Sequence, residues 1–285
     1  MKKAIFFGLL MLIFTKVAVA EPSEEIPAAI INDPCSPLQI KSAQVLLTED
    51  AQAIRKFSVA VENTSPETIV AYGLAWSART NKGDYSIYTD VDYIWMDDRS
   101  ELLKPGDDQT RKFENETSGL ASPEKINERY ESVSVKITFA VSDEKRTFEA
   151  DIESFERLAM VLNRYFAISS IRRGFLSQYH KRGIEELIRL IAALDENAIV
   201  LNTDRRLVQM SKLDKLVHIY ANPMAASNLK EGILNYQKQL SGIYRKHGEK
   251  DLIRRLEFKG HLKREREDGM FIPTKYNCES SQIPR

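Results

Sequence analysis

Two cysteines and four histidines are all that the 285 residues offer of the side chains that most often ligate transition metals. With no Cys pair at zinc spacing and no HExxH, neither a structural zinc site nor a zincin-type protease has a motif to rest on. A phosphate-cradling glycine-rich loop and a nucleophile elbow are missing as well. This silence points away from an enzyme, although acids and bases gathered only by tertiary structure would leave no motif. No catalytic residue, metal or cofactor is therefore expected. Glycine (12) and proline (10) are sparse and no self-similar repeat stands out, which excludes collagen-like and low-complexity classes. Two cysteines cannot staple a miniprotein, and with 43% apolar residues the chain has ample material for a core without one.

Long apolar runs are confined to the N-terminus. Lys2 and Lys3 precede an apolar stretch from Ala4 to Ile13, and Ala18-Val19-Ala20 presents small residues where a signal peptidase cuts. Residues 1–20 are thus expected to be a signal peptide. The stretch is short for a membrane anchor and is interrupted by Lys16, and no later window approaches the ~18 apolar residues that a spanning helix needs. No Cys follows Ala20, which argues against a lipid anchor. The expected mature chain is secreted or periplasmic, with no transmembrane segment.

Net charge is also absent, since 41 basic residues balance 41 acidic ones. The balance hides a dipole. Residues 21–150 hold 14 basic and 24 acidic residues, a net of −10, whereas residues 151–285 hold 24 and 17, a net of +7. The hydrophobic period changes at the same place. Upstream it is two: Phe57, Val59 and Val61 alternate with smaller or polar residues, as do Val133, Val135, Ile137, Phe139 and Val141. Asn63-Thr64-Ser65-Pro66, Asn81-Lys82-Gly83-Asp84, Pro105-Gly106-Asp107 and Asp143-Glu144 supply turns. About seven short strands result, each with one buried face.

The run from Phe57 to Ser65, then Ile69-Val70-Ala71-Tyr72, then Leu103-Lys104-Pro105-Gly106-Asp107, resembles the immunoglobulin-like sandwiches of bacterial exported proteins. The resemblance implies an antiparallel β-sandwich over residues 38–150, behind an N-terminal segment at 21–37. It implies no functional residue, because the shared features are turns, and the cysteine pair of antibody domains is lacking.

Downstream the period is helical. Ile152, Phe155, Leu158, Ala159, Leu162, Tyr165 and Phe166 form one stripe, and Ile184, Leu187, Ile188, Ile191 and Leu194 a second. Leu207, Met210, Leu213, Val217 and Tyr220 suggest a third, stopped at Asn222-Pro223. A fourth, capped by Ser227, carries Leu229, Ile233, Tyr236, Leu240, Ile243 and Tyr244, and Leu252, Ile253 and Leu256 begin a fifth. An all-helical domain over 151–268 and a tail at 269–285 complete an α+β chain.

Two candidate surfaces emerge. Tyr72, Trp76, Tyr85, Tyr88, Tyr93 and Trp95 cluster among Asp84, Asp90, Asp92, Asp97 and Asp98, where aromatics could stack on a sugar or anchor a peptide. Strand alternation would bury half of them, and the acids lack calcium-loop spacing. Arg172, Arg173, Arg205, Arg206, Arg254, Arg255, Lys263 and Arg264 suggest a basic face for an anionic envelope polymer. Interspersed acids make a solvated face with local ion pairs the commoner explanation, export argues against nucleic acid, and attraction between the oppositely charged halves is a further use for it. The sequence therefore points to an exported binding or assembly protein whose partner is an unknown protein or an anionic envelope polymer. The alternatives are an envelope-acting hydrolase with a site between the domains, or a structural component of a larger complex.

Cys35 and Cys278 stand near the two ends of the expected mature chain, and in an oxidising compartment they are expected to pair. Such a bridge closes a loop of about 240 residues and would remove about 5 kcal/mol of unfolded-chain entropy on the loop-closure account. Mass spectrometry of a non-reduced digest should show the two peptides linked; two alkylatable thiols would exclude the pairing.

Overall fold

The computed structural model describes residues 25–47, 54–92, 102–114, 130–194, 199–202, 207–210, 215–218, 223–262 and 274–276. Nine strands come first: β1 (Glu25–Pro27), β2 (Ala29–Ile31), β3 (Leu38–Leu47), β4 (Ile54–Asn63), β5 (Ile69–Thr80), β6 (Gly83–Asp92), β7 (Asp108–Glu114), β8 (Tyr130–Ser142) and β9 (Arg146–Glu149). They form two largely antiparallel sheets, ordered β1-β3-β4-β7 and β9-β8-β5-β6, with β2 beside β8. Leu38, Val45, Phe57 and Val61 of the first sheet meet Tyr72, Leu74, Trp76 and Val135 of the second in one buried core. The segment at 21–37, expected to precede this assembly, takes part in it. Its β1 pairs with β3, and its β2 runs parallel to β8.

Strict alternation along β8 fails for a local reason. Gly73 pairs with Phe139 but Leu74 pairs with Ile137, so Thr138 is an extra residue in the ladder. Such a bulge reverses the parity of everything beyond it. Val133, Val135 and Ile137 face the other sheet, whereas Phe139 and Val141 face the opposite way, toward a helix. The second sheet is therefore covered on both faces, and β5 is buried from Ile69 to Trp76.

That covering helix is α1 (Ile152–Ala192). Asp151 caps it, accepting from the Ser154 backbone N–H at 2.8 Å and from the Ser154 hydroxyl at 2.7 Å. Leu158, Val161, Leu162 and Tyr165 pack on Val70, Ala71, Phe139 and Val141. The predicted stripe thus starts one turn late: Ile152 and Phe155 are 75% and 51% exposed. Further along, Ile168, Ile171 and Phe175 enter a second core with α2 (Pro223–His247) and α3 (Glu249–Glu257). Gly183, at φ +79°, kinks α1 where a residue with a Cβ would be strained.

The second half is not all-helical. Between α1 and α2 lie β10 (Ile199–Asn202), β11 (Leu207–Met210) and β12 (Lys215–His218), an antiparallel meander in which Leu207 pairs with His218. The third helical stripe was misassigned because short apolar runs satisfy either period, and β-branched residues such as Val208 and Val217 favour the strand. Pro223 opens α2 where it was expected to end a helix, since proline suits a first turn, and Ser227 accordingly lies inside α2 and is not its cap. Within the predicted tail, β13 (Thr274–Lys275) runs parallel to β9, which returns the chain to the first half. Tyr276 packs on the same core as Cys35.

The two turns behind the family resemblance prove to be bonded to each other. Asn63 is fully buried. Its amide donates to the carbonyls of Glu67 at 2.7 Å and Leu103 at 2.9 Å, while its Oδ1 accepts from the Ser65 N–H and hydroxyl. Its backbone pairs with Gly106 and Asp107. Asn63→Ala would leave several of these groups unpaired in a dry site, and urea unfolding should show a loss of about 2–4 kcal/mol.

Candidate functional site

The aromatic candidates do not form one surface. Tyr72 and Trp76 are buried between the sheets, Trp76 lying 4.8 Å from the Phe57 ring, and neither is available to a ligand. Burial pushes the Tyr72 phenol up to about 12. Because Ala75 pairs with Tyr88 and Trp76 with Ile87, Tyr88 emerges on the opposite face, the one that α1 covers. Tyr85 is 37% exposed; Tyr93 and Trp95 lie outside the described residues. Among the acids, Asp84 pairs with Arg79 at 3.2 Å and Asp90 turns toward α1, so these two do not converge on a cation. Asp97 and Asp98 lie outside the described residues.

The basic candidates are likewise dispersed. Arg172 is 6% exposed and hydrogen-bonds the carbonyls of Leu256 and Phe258, so it belongs to the interior and not to a basic face. Arg173 is exposed, Arg254 pairs with Asp251 at 3.3 Å, and Arg255 is half-buried. Arg205, Arg206, Lys263 and Arg264 lie outside the described residues, as does the predicted signal peptide.

What the fold does bring together lies where β6, α1 and α2 meet. From α1, Arg157 donates to Asp90 of β6 at 2.6 Å, with its guanidinium carbon 4.3 Å from the centre of the Tyr88 ring. The Tyr88 hydroxyl donates to Glu153 at 3.1 Å, and burial, then that bond, raises its phenol above the ordinary value. Lys136 of β8 meets Asp151 at 2.7 Å at the start of α1. Ion pairs thus cross the sheet-to-helix seam in both senses, Arg157 of the helix on Asp90 of the sheet and Lys136 of the sheet on Asp151.

Beside this seam opens a groove of about 190 Å³, lined by Asp90, Arg157, Met160, Val161, Arg164, Leu229, Glu231, Gly232 and Asn235. Gly232 lets Arg164 lie against α2, since a Cβ there would stand 2.6 Å from the Arg164 Cδ. Two carboxylates, two guanidiniums and an amide share the lining with Met160, Val161 and Leu229. Among the described residues of the lining, none is a His, Cys, Ser, Thr or Tyr. His180 and His247 are exposed elsewhere, His261 stacks edge-on against Phe258 at 5.0 Å, and His218 is in β12. Sequence pattern missed the groove because Asp90 and Arg157 are 67 positions apart and neither belongs to a motif. The change of charge sign between the halves was the one available hint.

Comparison with protein-family models, with curated proteins and with solved structures yields no match. Among the described residues, no helix is long and apolar enough to cross a membrane, and no group of three His, Cys, Asp or Glu side chains could hold a metal ion.

The seam carries a pH signature. The hydrogen bond from Lys136, with those from Ser154, holds the Asp151 carboxyl down from 3.8 to about 2. A carboxyl depressed in the folded state stabilises the fold above its unfolded value and loses that contribution as pH falls through its folded value. Asp151→Asn should therefore lower the melting temperature at pH 6, and its difference from the parent protein should shrink between about pH 4 and pH 2.

Proposed function

We propose that this is an exported protein acting in binding or assembly in the cell envelope or outside it. On this proposal the two N-terminal sheets are an immunoglobulin-like sandwich, residues 1–20 are its signal peptide, and a Cys35–Cys278 bridge ties the chain ends. Support for the bridge comes from Tyr276, two residues before Cys278, which packs on the same core as Cys35, and no cysteine among the described residues is a free thiol.

The observation that carries the binding assignment is the mixed-charge groove between β6, α1 and α2. A lining that carries both signs suits a polypeptide segment that bears both charges, because a uniformly charged polymer would meet one repulsive partner for each attractive one. The hydrolase alternative has less to rest on. Asp90, one of the two carboxylates in the groove, is already engaged by Arg157 at 2.6 Å.

A photocrosslinking residue at Asn235, in the groove, should capture a discrete protein partner in the exporting host, and Glu231→Lys should diminish that product. The same residue at Asn81, on the exposed β5–β6 turn, serves as control. Equal yields from the two positions would overturn the groove assignment.

A further inference from the structure

Residues 164–191 and 229–256, 65 positions apart, align without a gap. Seven of the 28 aligned positions are identical, among them Tyr179 with Tyr244, Gly183 with Gly248, and Leu187-Ile188-Arg189 with Leu252-Ile253-Arg254. Identities so scattered do not stand out in a sequence, and it is the folded chain that gives them weight. Gly183 breaks α1 at φ 79° and ψ −172°, and Gly248 parts α2 from α3 at φ 81° and ψ −169°, the same backbone at a positive φ that favours glycine. Beyond each glycine an arginine pairs with the acid three residues before it, Arg189 with Glu186 at 2.7 Å and Arg254 with Asp251 at 3.3 Å. Ile168, Ile171, Phe175, Leu187 and Ile191 are buried in one core with their counterparts Ile233, Tyr236, Leu240, Leu252 and Leu256.

Contacts between the two stretches are reciprocal. Arg172 of the first donates to the carbonyl of Leu256 in the second at 3.4 Å. Its counterpart Gln237 donates to the carbonyl of Ile191, the counterpart of Leu256, at 3.1 Å. A contact that recurs between equivalent residues in the opposite direction is the mark of a two-fold axis, as in an isologous dimer, whereas repeats stacked in tandem would make their contacts in one direction only. We infer that the helical half is an intrachain dimer of one helix–glycine–helix unit, whose binding surface fits a second copy of the unit and is filled by it. The meander of β10 to β12 is the linker between the copies. One contact lacks its mate. The Tyr179 hydroxyl donates to Glu249 at 2.8 Å, but the counterparts of these residues are Tyr244 and Ile184, and the isoleucine side chain offers no acceptor.

Position 184 therefore tests the axis, because Ile184→Glu should supply the missing bond to Tyr244. A double-mutant cycle of Ile184→Glu with Tyr244→Phe, read by urea unfolding of the mature chain, should return a coupling of about fivefold in the folding equilibrium constant. The native pair, measured with Tyr179→Phe and Glu249→Ile, should give a similar value. A coupling between positions 184 and 244 of less than about twofold would overturn the proposal. If Ile184→Glu does not fold, Arg172→Gln decides the matter, since it gives the first unit the donor that the second already uses. It should lower the melting temperature by no more than half as much as Arg172→Leu, and a larger loss would overturn the proposal.

Discussion

Everything downstream of the sheets depends on one packing contact, that of Leu158, Val161, Leu162 and Tyr165 on Phe139, Val141, Val70 and Ala71. A sheet that packs on another sheet needs only one apolar face; this one has two. Its second face must be covered, and α1 covers it before running on into the helical core. The helix is thus shared between two cores, and the Thr138 bulge is what presents Phe139 and Val141 to it. A single additional residue in one strand decides where the helical half sits.

Charge then refines what apolar packing establishes. The −10 and +7 halves would attract each other in any orientation, but diffuse attraction is screened beyond about 8 Å at physiological ionic strength. Contacts as short as Arg157 to Asp90 and Lys136 to Asp151 choose an orientation. They also spend much of the charge at the seam on the protein itself, so the groove beside it presents both signs.

Much of the layout was legible in the sequence. Period two through Phe57, Val59 and Val61, and the turns at Asn63 and Pro105, led to antiparallel sheets, while the stripe from Leu158 to Tyr165 led to a helix at the charge boundary. The meander of β10 to β12 was not legible, because runs of four residues are too short for a period to declare itself. Which of the clustered aromatics are core was not legible for a related reason: composition shows that they cluster, whereas only the register with β6 shows which face each occupies. Arg172 looked like surface charge until the end of α3 supplied carbonyls for it. Long-range partners of this kind leave no trace in local spacing.

The pairing of β13 with β9 makes the helical half an insertion. The chain leaves the second sheet at β9, builds three helices and a meander, and rejoins the sheet beside the strand it left. Two adjacent strands therefore frame the helical half. A swing of α1 away from the second sheet would bare the apolar face beneath it, formed by Val70, Ala71, Phe139 and Val141.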